Sequence, residues 1–183
     1  TDSGVHAWEQ VAHVDLKTSL SCIKIKKALN AHLPIDCKID QVELVKGTFH
    51  SRYDAKRRHY RYQCYIGSSI LFRNQSWILP GLNVSYLNRL ANSLVGENDF
   101  LSFSKFNKGK KNTKCIIYDS KWVDDGKMII FKIEANRFLH HMIRYLVGTM
   151  IAVEKKQYKE LDFIKLLEEP NKSAKVHKAP PQG

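Results

Sequence analysis

The feature that most restricts the fold is a hairpin signal in the second half of the chain. Residues 115–123 and 127–134 alternate apolar and polar side chains, and the tripeptide Asp-Asp-Gly at 124–126 joins them. An Asp-Gly pair between two alternating runs is typical of a tight turn between antiparallel strands. A third alternating run, residues 57–66, predicts another strand. The sheet is therefore expected to be mostly antiparallel.

Helices are predicted where apolar side chains recur at helical spacing. They cover residues 19–33, 85–94, 138–152 and 159–168, and either Ser19 or Ser21 caps the first of them. Looser alternation predicts strands at 6–16 and 37–45, and residues 71–84 are expected to form a loop. The resulting order, βαβ followed by βαββαα, predicts an α+β fold with helices on one face of the sheet. The other face would be open, and a long polyanion could lie on it.

The charge balance indicates an anionic partner. The 183 residues include 30 Lys and Arg against 18 Asp and Glu, a net charge of +12. Such an excess attracts nucleic acids, although a merely solvated basic surface would have the same composition. The polar segment 104–114 is predicted to be a mobile basic loop, and its lysines are Lys105, Lys108, Lys110, Lys111 and Lys114.

Several classes of site have no counterpart in the sequence. The four cysteines lie far apart and form no C-x-x-C pair, which predicts reduced, partly buried thiols: Cys22, Cys37, Cys64 and Cys115. His140 and His141 would point about 100° apart on a helix, so they could not easily bind one metal. Phosphate-binding and dinucleotide-binding fingerprints are absent, as is any apolar run near the ~20 residues that span a bilayer. We expect a cytoplasmic protein with no metal, cofactor or membrane span.

Three segments carry residues with chemical potential, and local reasoning leaves each one open. Residues 1–7, Thr-Asp-Ser-Gly-Val-His-Ala, have the composition of a simple turn. Residues 55–62 combine arginines with tyrosines, which suits either a strand with a tyrosine core or a surface that contacts phosphates and stacks on a base. Arg144 stands in an apolar stripe and needs an anionic partner, either a structural carboxylate or a catalytic carboxylate or phosphate.

Five segments taken together resemble, in the right order, the motifs of TruA-type tRNA pseudouridine synthases. They are Thr-Asp-Ser-Gly-Val-His-Ala at 1–7, Phe-His-Ser-Arg at 49–52 with Arg-His-Tyr-Arg-Tyr at 58–62, Gly-Glu-Asn-Asp-Phe at 96–100, Asn-x-Phe-x-His-His-Met-x-Arg-x-x-Val-Gly at 136–148, and Ala-Pro-Pro-x-Gly at 179–183. The family precedes the first motif with Gly-Arg and continues after the last one into a short strand. The chain is therefore expected to be truncated at both ends.

The resemblance implies a fold of two ferredoxin-like halves that share a sheet. Residues 1–48 would be the remainder of the first half and residues 49–183 the second. By position in the motifs, Asp2 would be the catalytic carboxylate, Tyr60 would stack on the target base, and Arg144 would pair with Asp2. Side chains that hold RNA phosphates would be Arg57, Arg58, Arg61, Lys105, Lys108, Lys110 and Lys111.

The activity that the resemblance implies is the isomerisation of uridine to pseudouridine at positions 38–40 of the tRNA anticodon stem-loop, by a homodimer without a cofactor. An aspartate is ionised at neutral pH, and Asp2 could act as nucleophile or as base. Two alternatives remain from the sequence: a non-catalytic basic RNA-binding module, and a related synthase that acts at another tRNA site. A protein that merely coats nucleic acid fits the α+β pattern poorly.

Overall fold

The computed structural model describes residues 3–105 and 112–183. The chain divides into two compact units, one of residues Glu9–Ala55 and one that joins the residues up to Trp8 with Lys56–Gly183. The division into half-domains at residues 48 and 49 stays a prediction. None of the described helices is long and apolar enough to cross a membrane.

The smaller unit contains one helix, α1, Cys22–His32. The side chain of Ser21 accepts a hydrogen bond from the Lys24 amide, as predicted for a helix cap. The strands predicted at 6–16 and 37–45 are wrong, because no strand forms at either place. The main chain at Ile39 is bonded by a side chain and not by a neighbouring strand. The Asn30 side chain donates to the Ile39 carbonyl at 2.9 Å and accepts from the Ile39 amide at 2.8 Å. An alternating run becomes a strand only beside a partner.

The larger unit is built on a five-stranded sheet. Its strands are β1 Arg58–Tyr65, β2 Trp77–Ile78, β3 Gly96–Asp99, β4 Lys114–Asp125 and β5 Met128–Ala135. Their spatial order is β2-β1-β5-β4-β3, and every neighbouring pair is antiparallel except β1 and β2. The predicted α+β class with a mostly antiparallel sheet is confirmed. The sequence missed β2 and β3, since runs of two and four residues are too short to show alternation.

The β4–β5 hairpin forms as predicted. Asp125 pairs with Met128 across a turn in which Gly126 has a φ of 72°, a conformation that favours glycine. The Asp124 carboxylate accepts a hydrogen bond from the Gly126 amide at 2.9 Å. The two-residue turn at 126–127 therefore sets the register in which β5 pairs with β4.

Three helices cover one face of this sheet: α2 Val84–Asn92, α3 Met142–Glu154 and α4 Glu160–Glu168. They bury a core with Tyr62, Cys64, Trp122 and Phe131 on the strands and Leu87, Leu146 and Phe163 on the helices. Apolar burial of this kind is the main stabilising term of a domain of this size. Alternation in β1, β5 and β4 places Arg61, Lys132 and Lys121 on the other face, called here the open face, on which Tyr65 and Ile130 are nevertheless buried.

Helix α3 begins four residues later than predicted. His141 precedes it with a φ of 62°, and left-handed backbone cannot be part of an α-helix. The expectation that His140 and His141 point 100° apart on a helix is therefore wrong, and their ring centroids lie 4.1 Å apart. No group of three or more possible metal ligands occurs among the residues that the structure describes.

The burial of the cysteines leads to a chemical prediction. Burial raises the pKa of the Cys64 thiol to about 12 and that of Cys115 to about 11, whereas Cys37 is exposed and Cys22 half-buried. Only the thiolate attacks a disulfide reagent. We expect an aromatic disulfide reagent at about pH 8 to label Cys22 and Cys37 in the native protein, and all four thiols after unfolding. Rapid native labelling of Cys64 or Cys115 would contradict the packing described.

Candidate active site

The site is organised around residues 177–183, which we call the closing segment. Its Ala179 is fully buried and pairs with Arg144 of α3 through two hydrogen bonds. The Ala179 amide donates to the Arg144 carbonyl at 2.9 Å, and the Arg144 Nε donates to the Ala179 carbonyl at 2.8 Å. One arginine therefore holds the closing segment through both its main chain and its side chain.

Helix α3 presents small residues to the closing segment. A Cβ atom added to Gly148 would lie 2.5 Å from the His177 carbonyl oxygen and 2.7 Å from the Ala179 nitrogen, so only glycine fits there. The next residue, Thr149, accepts a hydrogen bond from the His177 amide at 3.2 Å. Gly148 follows Arg144 by one helical turn, so the two residues lie on the same side of α3 and both face the closing segment.

Tyr62 of β1 contacts the closing segment from the sheet. Its hydroxyl donates to the Pro180 carbonyl at 2.9 Å, and any side chain on Gly183 would collide with its ring. Burial raises the pKa of the Tyr62 phenol, and the nearby charge of Arg144 offsets only part of this rise. The phenol therefore keeps its proton and can donate. No role for Tyr62 was predicted from the motifs. The signal was its place in a buried strand, because a buried tyrosine hydroxyl usually has a partner.

Gly4 of the first motif also contacts the closing segment. Its φ is 81°, and a Cβ atom there would lie 3.0 Å from Pro181 Cγ. Further along, the His6 Nε2 lies 2.8 Å from the Asn74 carbonyl oxygen. Asp2, the predicted catalytic residue, lies outside the described residues, two positions before Gly4 in the chain.

Tyr60 lies on β1 two residues from Tyr62 and on the same face of the strand. It is 41% exposed, and its ring forms a T-shaped pair with that of Phe138, with the two centroids 4.9 Å apart and the planes at 81°. A T-shaped pair fixes the orientation of a ring and leaves a face of it accessible. A planar group such as a nucleobase can stack on that accessible face.

Asn136 and Arg58 hold the loop that carries Phe138. Asn136 forms two hydrogen bonds with the main chain of Ile116. The Ile116 amide donates to the Asn136 side-chain oxygen at 3.0 Å, and the Asn136 amide donates to the Ile116 carbonyl at 3.1 Å. The Arg58 Nη1 donates to the Asn136 carbonyl at 2.6 Å. The loop between β5 and α3 is thus tied to β4 and to β1, and it places Phe138 against Tyr60. Neither Asn136 nor Phe138 was predicted to have a function, although both lie in the motif at 136–148.

Comparison with known proteins agrees with this convergence of motifs. Residues 90–183 match a family described as tRNA pseudouridine synthase. Proteins named tRNA pseudouridine synthase A align with 100% of this chain and 76% of their own length: that of Chlorobium limicola is 36% identical over 184 residues, that of Pseudothermotoga lettingae 35% over 187, and that of Dictyoglomus thermophilum 37% over 188. The chain belongs to the tRNA pseudouridine synthase family.

The family match covers the second half of this family member, and the relatives cover all of it. The family match includes β3 to β5, α3, α4 and the closing segment. The relatives extend the similarity to the residues before it, which include Gly4 and β1. The segments that meet at the closing segment are therefore all within regions of family similarity.

The basic residues predicted to bind phosphates have distinct surroundings in this synthase. Arg57 forms an ion pair with Glu134 at 2.5 Å and lies over the Tyr118 ring. Arg61 lies over the indole of Trp8, with 5.2 Å to the ring centroid. The Lys105 amide donates to the His140 carbonyl at 2.9 Å. The remaining loop lysines fall outside the described residues: Lys108, Lys110 and Lys111.

Replacing Gly148 with alanine tests the contact between α3 and the closing segment. Alanine stabilises an ordinary helix interior by about 0.5–1 kcal/mol relative to glycine. Here the added methyl group meets the backbone of His177 and Ala179, so we expect Gly148→Ala to lower the free energy of unfolding by about 1–3 kcal/mol. Gly81→Ala is the control, because nothing lies within 4 Å of its added Cβ. Stabilisation by Gly148→Ala in urea unfolding would contradict the close approach.

Proposed function

We propose that this chain isomerises uridine to pseudouridine at positions 38–40 of the tRNA anticodon stem-loop. The observation that carries the proposal is that Gly4, Tyr62 and Arg144, from three motifs far apart in sequence, all contact residues 179–183. Family membership supplies the reaction class. The position within tRNA rests on the resemblance to TruA-type synthases.

Asp2 is proposed as the catalytic carboxylate and Arg144 as its partner. Arg144 uses its Nε on Ala179, and a guanidinium has further N–H donors on its two Nη atoms. No carboxylate among residues 3–105 and 112–183 forms an ion pair with it. A half-buried arginine favours an anionic partner. Asp2 is only two residues from Gly4, which packs against the segment that Arg144 holds.

The reaction assigns a separate task to each group. The N1–C1′ bond of the uridine breaks, the base turns, a C5–C1′ bond forms, and C5 loses its proton while N1 gains one. The Asp2 carboxylate acts at the ribose, as nucleophile or as base, and the charge of Arg144 keeps it ionised. The uridine has to leave the helical stack to react, and the Tyr60 ring holds the base once it has been flipped out.

The proposal includes a cytoplasmic homodimer that binds tRNA through basic side chains. Contacts of lysine and arginine with phosphates fix the position of an RNA and weaken as salt rises. The proposed contacts are those of the arginines that flank Tyr60 and of the lysines in the basic loop: Arg57, Arg58, Arg61, Lys105, Lys108, Lys110 and Lys111.

The decisive test measures tritium release from tRNA that carries 5-tritiated uridine. C5 loses its hydrogen only if pseudouridine forms, so the wild type should release tritium. Asp2→Asn keeps the shape of the side chain and removes its charge, and we expect the rate to fall at least about a thousandfold. Asp162→Asn, an equally conservative change at an exposed position on α4, is the matched control and should retain the rate.

Each alternative function has its own result in this assay. No release by the wild type, with salt-sensitive tRNA binding intact, would favour a non-catalytic RNA-binding module. Release at uridines outside positions 38–40, mapped by carbodiimide modification and primer extension, would indicate a synthase for another tRNA site. Full activity of Asp2→Asn would remove Asp2 from the mechanism.

Two substitutions of Tyr60 separate stacking from the hydroxyl group. Base–aromatic stacking contributes about 1–3 kcal/mol per base, so Tyr60→Ala should slow single turnover at saturating tRNA by roughly tenfold or more. Tyr60→Phe keeps the ring, and any loss it shows measures the hydroxyl. Tyr53→Ala is the control, because Tyr53 is an exposed tyrosine of the smaller unit. Equal losses in Tyr60→Ala and Tyr53→Ala would contradict the stacking role.

A further inference from the structure

We propose that the open face of the sheet is a second contact surface for RNA phosphates, centred on a row of three cations: Arg61, Lys132 and Lys121. The row lies on the face of the sheet that does not carry Tyr60 and Tyr62. The ligand, the substrate tRNA, rests on the proposed function. To Arg61, which belongs to a family-like motif, the row adds Lys132 and Lys121, which no motif includes.

The strand register places the three cations directly opposite one another. Arg61 of β1 pairs with Lys132 of β5, and Lys132 pairs in turn with Lys121 of β4. Paired residues on neighbouring strands point to the same face, and their Cβ atoms lie about 5 Å apart. The three side chains therefore form a continuous row across the sheet, about 10 Å long between its outer strands.

The carboxylates on the open face leave this row with excess positive charge. In the neighbouring row, Glu134 pairs with Arg57 at 2.5 Å, and Asp119 pairs with Lys121 at 2.7 Å. Arg61 and Lys132 have no ion-pair partner in the part of the chain that the structure describes. On this face four cations, Arg57, Arg61, Lys121 and Lys132, thus lie with three carboxylates, Glu134, Asp119 and Asp125.

Like charges directly opposite each other destabilise a sheet. A row of three cations is therefore not explained by folding, and its central member, Lys132, has a cation on both sides. A polyanion that lies across the strands would remove this repulsion. An RNA backbone is the polyanion that the proposed function supplies.

Exposed aromatic rings lie beside the cations on the same face. Trp8 is 83% exposed beneath the Arg61 guanidinium, and Tyr118 is 41% exposed beneath that of Arg57. Cations interleaved with accessible rings are typical of surfaces that bind nucleic acids. Ring stacking also holds each guanidinium in place, so less side-chain freedom is lost when a phosphate binds.

The test compares tRNA affinity across a range of salt concentrations for the wild type, Lys132→Gln, Lys121→Gln and the double variant. Each removed phosphate contact should lower the slope of log K against log salt by about 1. We expect each single variant to bind tRNA roughly threefold to tenfold more weakly at low salt. Lys165→Gln, the same change at an exposed position on α4, is the matched control and should keep both affinity and slope.

Two further measurements make the outcome specific. Thermal unfolding of Lys132→Gln should occur at the wild-type temperature or above, because neutralising the central lysine removes repulsion; a lowered temperature would mean that Lys132 has a structural role. Single-turnover tritium release at saturating tRNA should be unchanged, because the row lies on the face opposite Tyr60.

The result also separates this surface from the proposed function. Unchanged affinity and slope in the double variant would overturn the surface, even if the wild type makes pseudouridine. Weakened binding by the variants, with no pseudouridine formed by the wild type, would support the surface and overturn the function.

Discussion

The structure of the site depends on the contact between helix α3 and the closing segment. Arg144 and Ala179 exchange two hydrogen bonds, and Gly148 allows the backbones to approach to a distance that no side chain permits. Because the segment lies against α3, its next residues come within reach of the Tyr62 hydroxyl and of Gly4. A segment without regular structure thereby becomes the common neighbour of a helix, a strand and the first motif.

The same contact gives Arg144 two roles. Its Nε holds the Ala179 carbonyl, while the rest of the guanidinium is proposed to face the catalytic carboxylate. The hydrogen bond from Nε restrains this half-buried arginine, so its charge stays close to one position. Asn136 and Arg58 act in a comparable way on the neighbouring loop, where they fix Phe138 and, through it, the Tyr60 ring.

The sequence predicted correctly the strands and helices of which one face is buried against the rest of the chain. Strands β1, β4 and β5 and helices α2 and α4 alternate or repeat strongly, and all of them form. Residues 6–16 and 37–45 alternate too, yet Val11 and Val14 remain 63% and 70% exposed, so no neighbour converts the pattern into a strand. Family motifs identified Tyr60 and Arg144, whereas Tyr62, Asn136 and Phe138 gain their roles from contacts that sequence spacing does not encode.

The order in which the contacts form has a consequence for folding. The β4–β5 hairpin closes over a two-residue turn, and such hairpins form within microseconds. The hydrogen bond from Tyr62 to Pro180 joins residues 118 positions apart, so it forms only after the sheet and α3 are in place. We expect the site to be among the last regions to become native. A chain that stalls or is cut before residue 177 would carry a folded sheet but no assembled site.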